Sequence, residues 1–157
     1  MMLPDGFRIR RGSAADLDLV VRHRVEMFRD MGFTGEALVE AERSGREYFA
    51  AQFAEERYYA WFLEDPEGQV IAGAGITISR YHPSPKHPAP FRAWVVNVYT
   101  EPEHRRRGFA RELMETVIGW GRAQKYQSIF LHASEQGRPL YEDMGFVRIN
   151  EMRLDLE

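Results

Sequence analysis

The fold is decided by one stretch of the chain, Val95-Val96-Asn97-Val98-Tyr99-Thr100-Glu101-Pro102-Glu103-His104-Arg105-Arg106-Arg107-Gly108-Phe109-Ala110. Its first part belongs to an apolar, β-branched run over residues 93–99, which predicts a buried central strand. Pro102 ends that run. From about Arg107 to Gln124 the apolar residues recur at helical spacing, so a short loop joins the strand to a helix.

The loop and the start of this helix have the features of a phosphate site. Gly108 has no Cβ, so a ligand can approach the backbone closely there. The unpaired N–H groups at a helix N-terminus attract an anion, and consecutive arginines add positive charge beside them. We therefore expect a pyrophosphate at six residues: Arg105, Arg106, Arg107, Gly108, Phe109 and Ala110. A solvated basic turn and a nucleic-acid patch are alternatives that use the same residue types.

The composition restricts the class of protein and of partner. The chain has 157 residues, enough for one domain over residues 1–157, with 21 Lys+Arg against 24 Asp+Glu. Because nucleic-acid-binding domains are usually basic, a net charge of -3 disfavours a nucleic-acid partner. The absence of cysteine excludes disulfides, Cys-ligated zinc and a cysteine nucleophile.

The sequence matches no standard motif for targeting, zinc binding or dinucleotide binding. No signal-peptide core and no apolar run of roughly 18 to 20 residues occurs, so we expect a cytoplasmic protein without a membrane partner. His82, His87 and His104 match no standard zinc spacing, and no metal is predicted. Gly73-Ala74-Gly75 lacks the third glycine of a dinucleotide-binding motif and lies inside a predicted strand.

The rest of the chain alternates strand-like and helical patterns. In the first third of the chain we predict a strand at 7–10, a helix from a Ser13 cap to about Met31, and one or two helical stretches over 36–56 with a break at Gly45. The middle part should contain a hairpin of 58–63 and 70–78, a Pro-rich loop over 80–91 and a strand at 93–99. After the helix that begins near Arg107 we predict a strand at 128–132, a short helix at 139–144, and terminal strands at 146–149 and 152–156. The order β-α-α-β-β-β-α-β-α-β-β predicts an α/β (mixed α+β) domain, with a central mixed sheet of about six to seven strands flanked by about four helices.

Two motifs resemble those of a known family. Residues 95–110 resemble the acetyl-CoA signature of the GNAT superfamily of N-acetyltransferases, with Arg105, Gly108 and Ala110 at its defining positions. Pro139-Leu140-Tyr141-Glu142-Asp143-Met144-Gly145-Phe146 is similar to the family's second signature, a tyrosine-bearing helix that ends in Gly-Phe. The resemblance implies a GNAT-like fold. It also implies transfer of an acetyl group from acetyl-CoA, without a metal, to a primary amine of a small molecule or peptide.

The resemblance assigns residues to the acetyl donor. The backbone of Asn97, Val98 and Tyr99 would pair with the pantetheine arm and the acetyl carbonyl. This pairing would take place in a gap between a bulged central strand and the strand at 128–133. Ser134 stands where many relatives have an asparagine that bonds the pantetheine.

The resemblance also suggests the acid and base of the transfer. Tyr141 corresponds to the family's usual general acid, since a phenol with a pKa of about 10 is matched to a departing thiolate. A core position beside Phe146 is the alternative role. The candidates for the base are a chain of waters and four side chains: Glu101, His132, Glu26 and Asp30.

In this fold the acceptor site is built by the first two helices, the loop before the central strand and the end of the chain. The candidate acceptor-binding residues are Glu26, Phe28, Asp30 and Met31, with the aromatic residues Phe33, Tyr48, Phe49, Tyr81 and Phe91 nearby. Two strings, 23–32 and 132–141, resemble a bacterial GNAT subgroup. Some members of that subgroup resemble self-immunity enzymes that acetylate aminoacyl-nucleotide antibiotics. A catalytically silent CoA-binding sensor and an RNA-associated protein are the alternatives, and a homodimer stays open.

Overall fold

A five-stranded sheet forms the centre of the computed structural model, which describes residues 2–157. In spatial order the strands are β1 (Arg8–Arg11), β2 (Tyr58–Glu64), β3 (Val70–Arg80), β4 (Phe91–Thr100) and β5 (Ile129–Phe130). The first four are antiparallel neighbours, and β5 runs parallel to β4. The helices are α1 (Leu17–Asp30), α2 (Glu36–Ala54), α3 (Phe109–Ala123) and α4 (Arg138–Asp143), with 3-10 turns at Ala14–Asp16 and Pro102–His104.

The helices cover the two faces of the sheet with separate apolar layers. On one face α3 buries its apolar stripe, which includes Leu113 and Val117, against Trp61 and Leu63 of β2. On the other face Val20 of α1 and Phe49 of α2 pack on Tyr58, Ala60 and Phe62 of β2. Alternate residues of β2 therefore serve opposite layers, as the period of two in a strand requires.

The predicted element order is confirmed from β1 to α4. Ser13 and Asp16 form a capping box ahead of α1: the Ser13 hydroxyl accepts from the N–H of Ala15, and the Asp16 carboxylate accepts from the N–H of Ser13. The hairpin of β2 and β3, the buried strand β4 and the helix α3 lie where their sequence patterns predict them.

Two local predictions are wrong. Gly45 does not interrupt α2: it is buried against α1, and a Cβ there would make an ordinary contact with Arg24 Cδ at 3.6 Å. The terminal strands at 146–149 and 152–156 do not form among the described residues, and the sheet has five strands rather than six to seven. Their alternating apolar residues have no neighbouring strand to complete a hydrogen-bonded ladder.

The contact between Gly75 and Tyr58 gives the first testable prediction. A Cβ at Gly75 would lie 2.1 Å from the Tyr58 hydroxyl oxygen, and Tyr58 is only 3% exposed. We expect Gly75→Ala to lower the free energy of unfolding by about 3 kcal/mol, because the buried ring must shift. Urea unfolding followed by circular dichroism measures this change.

The control is Gly119→Ala, because no atom lies within 4 Å of the position that its Cβ would take. Gly119 lies inside α3, so this substitution should raise the free energy of unfolding by about 0.5 to 1 kcal/mol through helix propensity. Equal urea midpoints of unfolding for Gly75→Ala and the wild type would contradict the tight contact between Gly75 and Tyr58.

Candidate functional site

Strand β4 carries a bulge at its centre. Gly73 of β3 pairs with Tyr99 and Gly75 pairs with Val96, so β4 has one residue more than β3 between these two pairs. Asn97 lies in this interval and has a φ of 59°, in the left-handed region that non-glycine residues rarely adopt. The bulge that the family resemblance implies is therefore present, and it bends the strand at residues 97–98.

Beyond its first residues β4 separates from β5. The two strands pair only at Ala93 with Ile129 and at Trp94 with Phe130. Residues 95–100 have no strand on that side within the part of the chain that the structure describes. A gap therefore opens along Asn97, Val98 and Tyr99. An extended ligand could enter it and bond the open backbone as an added strand does.

The start of α3 presents a run of free N–H groups next to this gap. Gly108 caps the helix with a φ of 83°, and Arg106 has a φ of 64°. Within residues 2–157 no N–H from Arg106 to Ala110 donates a hydrogen bond. Successive N–H groups in such a turn, followed by a helix N-terminus, form a concave site for an anion.

The three arginines of this loop have different roles. The Nε of Arg105 donates to the Thr100 carbonyl oxygen at 2.8 Å, and its Nη2 donates to the Asp30 carboxylate at 2.6 Å. Arg105 therefore holds the loop to β4 and α1. Arg106 and Arg107 are exposed. The backbone N–H groups of residues 106–110 and the exposed side chains of Arg106 and Arg107 are the donors available to an anion here.

Helix α4 holds Tyr141 and Ser134 close to each other through Gly137. The Ser134 hydroxyl accepts from the N–H of Gly137 at 3.1 Å, and a Cβ at Gly137 would lie 2.9 Å from Tyr141 Cε2. The Tyr141 ring is 5.8 Å from the ring of Phe146, and burial raises the pKa of its phenol. Its hydroxyl makes no hydrogen bond to residues 2–157. The phenol is therefore protonated at neutral pH and free to donate.

All four side chains that are candidates for the base already have partners. Glu101 accepts from Arg22 Nη2 at 2.5 Å, and its other oxygen is 3.4 Å from the Tyr99 hydroxyl, which donates to it. His132 Nε2 is 2.7 Å from the Glu151 carboxylate and its side chain is largely exposed. Glu101 immediately follows β4, next to the gap, whereas His132 lies beyond β5.

The two candidate acceptor-binding acids of α1 are each paired with an arginine. Glu26 forms an ion pair with Arg29 of the same helix, and Asp30 is the partner of Arg105. Met31 follows the helix and is half exposed. None of these contacts tests a role in substrate binding, which stays a prediction.

Sequence reasoning missed Arg24, whose guanidinium lies over the ring of Phe28 at 4.8 Å. Its Nη1 donates to the side chain of Asn97, at the bulge, at 2.9 Å. A readable signal exists, since Arg24 is four residues after Val20 and four before Phe28 and so lies on the apolar face of α1. The structure thus brings a charged side chain to the inner face of the bulge.

The described residues contain no metal-binding cluster and no membrane-spanning helix. No group of three His, Asp or Glu side chains in residues 2–157 could hold a metal ion. No helix in that range is long and apolar enough to cross a membrane.

Comparisons with known proteins agree on one family. The sequence model of the acetyltransferase (GNAT) family matches residues 23–146. A GCN5-related N-acetyltransferase from Ralstonia eutropha is 32% identical, covers 96% of this chain and 98% of its own, and has a TM-score of 0.89. A predicted acetyltransferase from Clostridium acetobutylicum, solved with acetyl-CoA, is 26% identical, covers 96% of each chain and has a TM-score of 0.86.

A more distant structure shows the fold alone. An aminoglycoside acetyltransferase from an uncultured soil metagenomic sample is 19% identical, covers 96% of this chain and 97% of its own, and has a TM-score of 0.66. No curated protein matches the sequence significantly.

Proposed function

Because the chain belongs to the GNAT acetyltransferase family and is an acyl-CoA-dependent acetyltransferase, we propose that it acetylates a primary amine of a small molecule or peptide by direct attack on acetyl-CoA. The observation that supports this proposal most strongly is the gap between β4 and β5 beside the free N–H groups of residues 106–110. A long ligand with a pyrophosphate at one end fits this pair of features.

In the proposed arrangement the backbone of residues 106–110 binds the pyrophosphate, and Asn97, Val98 and Tyr99 pair with the pantetheine arm. Ser134 can still donate from its hydroxyl, because its bond with Gly137 uses it only as an acceptor. An N–H of β4 aimed at the thioester oxygen would stabilise the negative charge that develops there. These assignments put the thioester at the bulge.

The amine nitrogen attacks the carbonyl carbon of the thioester, a C–N bond forms, and the C–S bond breaks. Tyr141 gives its proton to the departing sulfur, so that neutral CoA thiol leaves. The ammonium gives one proton to the base before attack, and the new amide nitrogen gives a second, which restores the proton of the Tyr141 phenolate, directly or through a water. We propose Glu101, directly or through a water, as the base. Its ion pair with Arg22 fixes the position of the carboxylate.

The rival function is a CoA-binding sensor without catalysis, since the same gap and loop would serve both. We also propose a cytoplasmic location, with which a chain without cysteine is compatible. The resemblance of residues 23–32 and 132–141 to an antibiotic self-immunity subgroup makes aminoacyl-nucleotide amines one class of acceptor to test.

Calorimetry with acetyl-CoA and a thiol-release assay together test the proposal. We expect a dissociation constant in the micromolar range or tighter, and release of CoA thiol with at least one amine. The panel comprises aminoacyl adenylate analogues, aminoglycosides, polyamines, amino acids and peptides. Absence of heat and of any thermal shift at millimolar acetyl-CoA would contradict the proposal. Binding without thiol release from any amine would favour the silent sensor.

A further inference from the structure

Arg24 is a rigidly held cation in the middle of α1. Its guanidinium carbon is 4.8 Å from the ring centre of Phe28 and 5.3 Å from that of Phe49. Its aliphatic part lies against Gly45 of α2, where a side chain larger than a methyl group would crowd it. Contacts with two aromatic rings restrict the position of a guanidinium and therefore the directions in which its remaining donors can point.

Its only hydrogen-bond partner among the described residues is neutral. Arg24 Nη1 donates to the Asn97 side-chain oxygen at 2.9 Å, and the Asn97 amide donates to the Tyr58 hydroxyl at 3.1 Å. Tyr58 is buried, and this chain of bonds ends in it. An arginine has five N–H donors, so most of those of Arg24 have no acceptor from residues 2–157.

The carboxylates around α1 are already paired with other arginines. Among residues 2–157 these pairs include Asp18 with Arg46, Glu26 with Arg29, Asp30 with Arg105, and Glu101 with Arg22. Burial lowers the pKa of Arg24, and the groups that oppose this shift are the tyrosines Tyr58 and Tyr48 rather than an acid. A half-buried cation without a counter-ion is unfavourable in the free protein, and an anionic ligand would relieve that cost.

Arg24 also lies at the reaction centre of the proposed function. Asn97, its partner, is the residue of the bulge, where the thioester is placed. The bulge turns both Val96 and Asn97 toward the side of the sheet that α1 and α2 cover. The guanidinium therefore faces the bulge from the side on which the acceptor is expected.

Two exposed aromatic rings extend this site toward solvent. Phe33 is 5.9 Å from Phe28 and 48% exposed, and Tyr48 is 5.0 Å from Phe49 and 44% exposed. Phe33 follows α1 and contacts the half-buried Phe28, and Tyr48 lies on α2, whereas Phe49 is buried in the core. Exposed rings beside a cation suit the apolar part of a ligand whose charged end reaches the guanidinium.

We propose that Arg24 binds a carboxylate of the acceptor, and that the acceptor is an amine with an apolar side chain and a free carboxylate, as in an amino acid or a short peptide. The planar guanidinium matches the two oxygens of a carboxylate. One guanidinium carries one positive charge, so a singly charged carboxylate fits better than a doubly charged phosphate. This inference rests on the proposed function for the position of the reacting amine.

The inference can be tested by equilibrium binding of two compounds that resemble the acetylated product, one with a free carboxylate and one without. We would measure N-acetylphenylalanine and N-acetylphenylalaninamide by calorimetry, with and without CoA. The wild type should bind the acid at least about 10-fold more tightly than the amide, since only the acid pairs with Arg24. Arg24→Met should abolish this difference, and Arg24→Lys should retain part of it.

Arg46→Met is the control, because Arg46 is an exposed arginine of α2 that pairs with Asp18. It should keep the full preference for the acid. Equal binding of acid and amide by the wild type, absence of binding by both, or a preference that persists in Arg24→Met overturns the inference. The wild-type comparison is decisive by itself, so the inference is tested even if Arg24→Met folds poorly. Normal acetyl-CoA binding with no preference for the acid would refute only this inference, whereas loss of acetyl-CoA binding would refute the proposed function.

Discussion

Gly108→Val should weaken acetyl-CoA binding by about 100-fold, which corresponds to about 3 kcal/mol of binding free energy. Gly108 has a φ of 83° at the cap of α3, and a β-branched residue adopts that conformation only with strain. The loop would relax and turn the N–H groups of residues 106–110 away from a common centre. Hydrogen bonds to a charged group contribute about 1.5 to 3 kcal/mol each, so the loss of one or two accounts for the effect.

Gly68→Val is the matched control for this substitution. Gly68 also has a φ of 83° and lies in the turn between β2 and β3, with no atom within 4 Å of a Cβ. Both variants should lose similar stability in urea, but only Gly108→Val should lose acetyl-CoA affinity in calorimetry. Equal loss of affinity in both, or a change confined to the Michaelis constant of the amine, would show that residues 106–110 do not bind the pyrophosphate.

The strand, loop and helix over residues 91–123 were predictable because each signal is local. An apolar β-branched run, a proline that ends it and a glycine before an apolar helical stripe depend on nearby residues only. The fold family follows from these signals and their order. The same local character explains why the turn and the helix N-terminus at residues 106–110 could be located from the sequence.

Features that depend on distant parts of the chain could not be predicted in this way. Gly45 usually weakens a helix, yet here it packs against Arg24 of another helix, and only the tertiary contact explains why α2 continues through it. The ion pair between Arg105 and Asp30 likewise needs α1 to dock beside the loop. An arginine run in the sequence shows charge but does not show which side chain is already paired.

At the end of the chain, two strands were predicted that the described residues do not form. Alternating apolar residues after Phe146 predicted two strands, but alternation expresses only a propensity, and a strand needs a neighbour for its N–H and C=O groups. In the structure Val147, Met152 and Leu154 are largely exposed and no strand forms there. The sequence therefore predicted the residue pattern correctly and the pairing wrongly.

Tyr141→Phe should lower turnover by about 100-fold, the usual contribution of a positioned general acid, and leave acetyl-CoA affinity nearly unchanged. Burial raises the pKa of Tyr141, so the phenol keeps its proton at neutral pH and remains an acid up to a higher pH than an exposed tyrosine. Phenylalanine retains the ring that packs against Phe146 and removes only the hydroxyl. Steady-state kinetics with the best amine of the panel, together with calorimetry, measures both quantities.

Tyr126→Phe separates a role in proton donation from a role in packing. Tyr126 packs against the same apolar layer as Tyr141, and burial raises the pKa of its phenol too, but it lies after α3, near Trp120 rather than near Ser134. If loss of a half-buried hydroxyl acted only through stability, both variants would lose similar activity. We expect Tyr126→Phe to keep wild-type turnover. Unaltered turnover in Tyr141→Phe would instead show that Tyr141 is not the general acid.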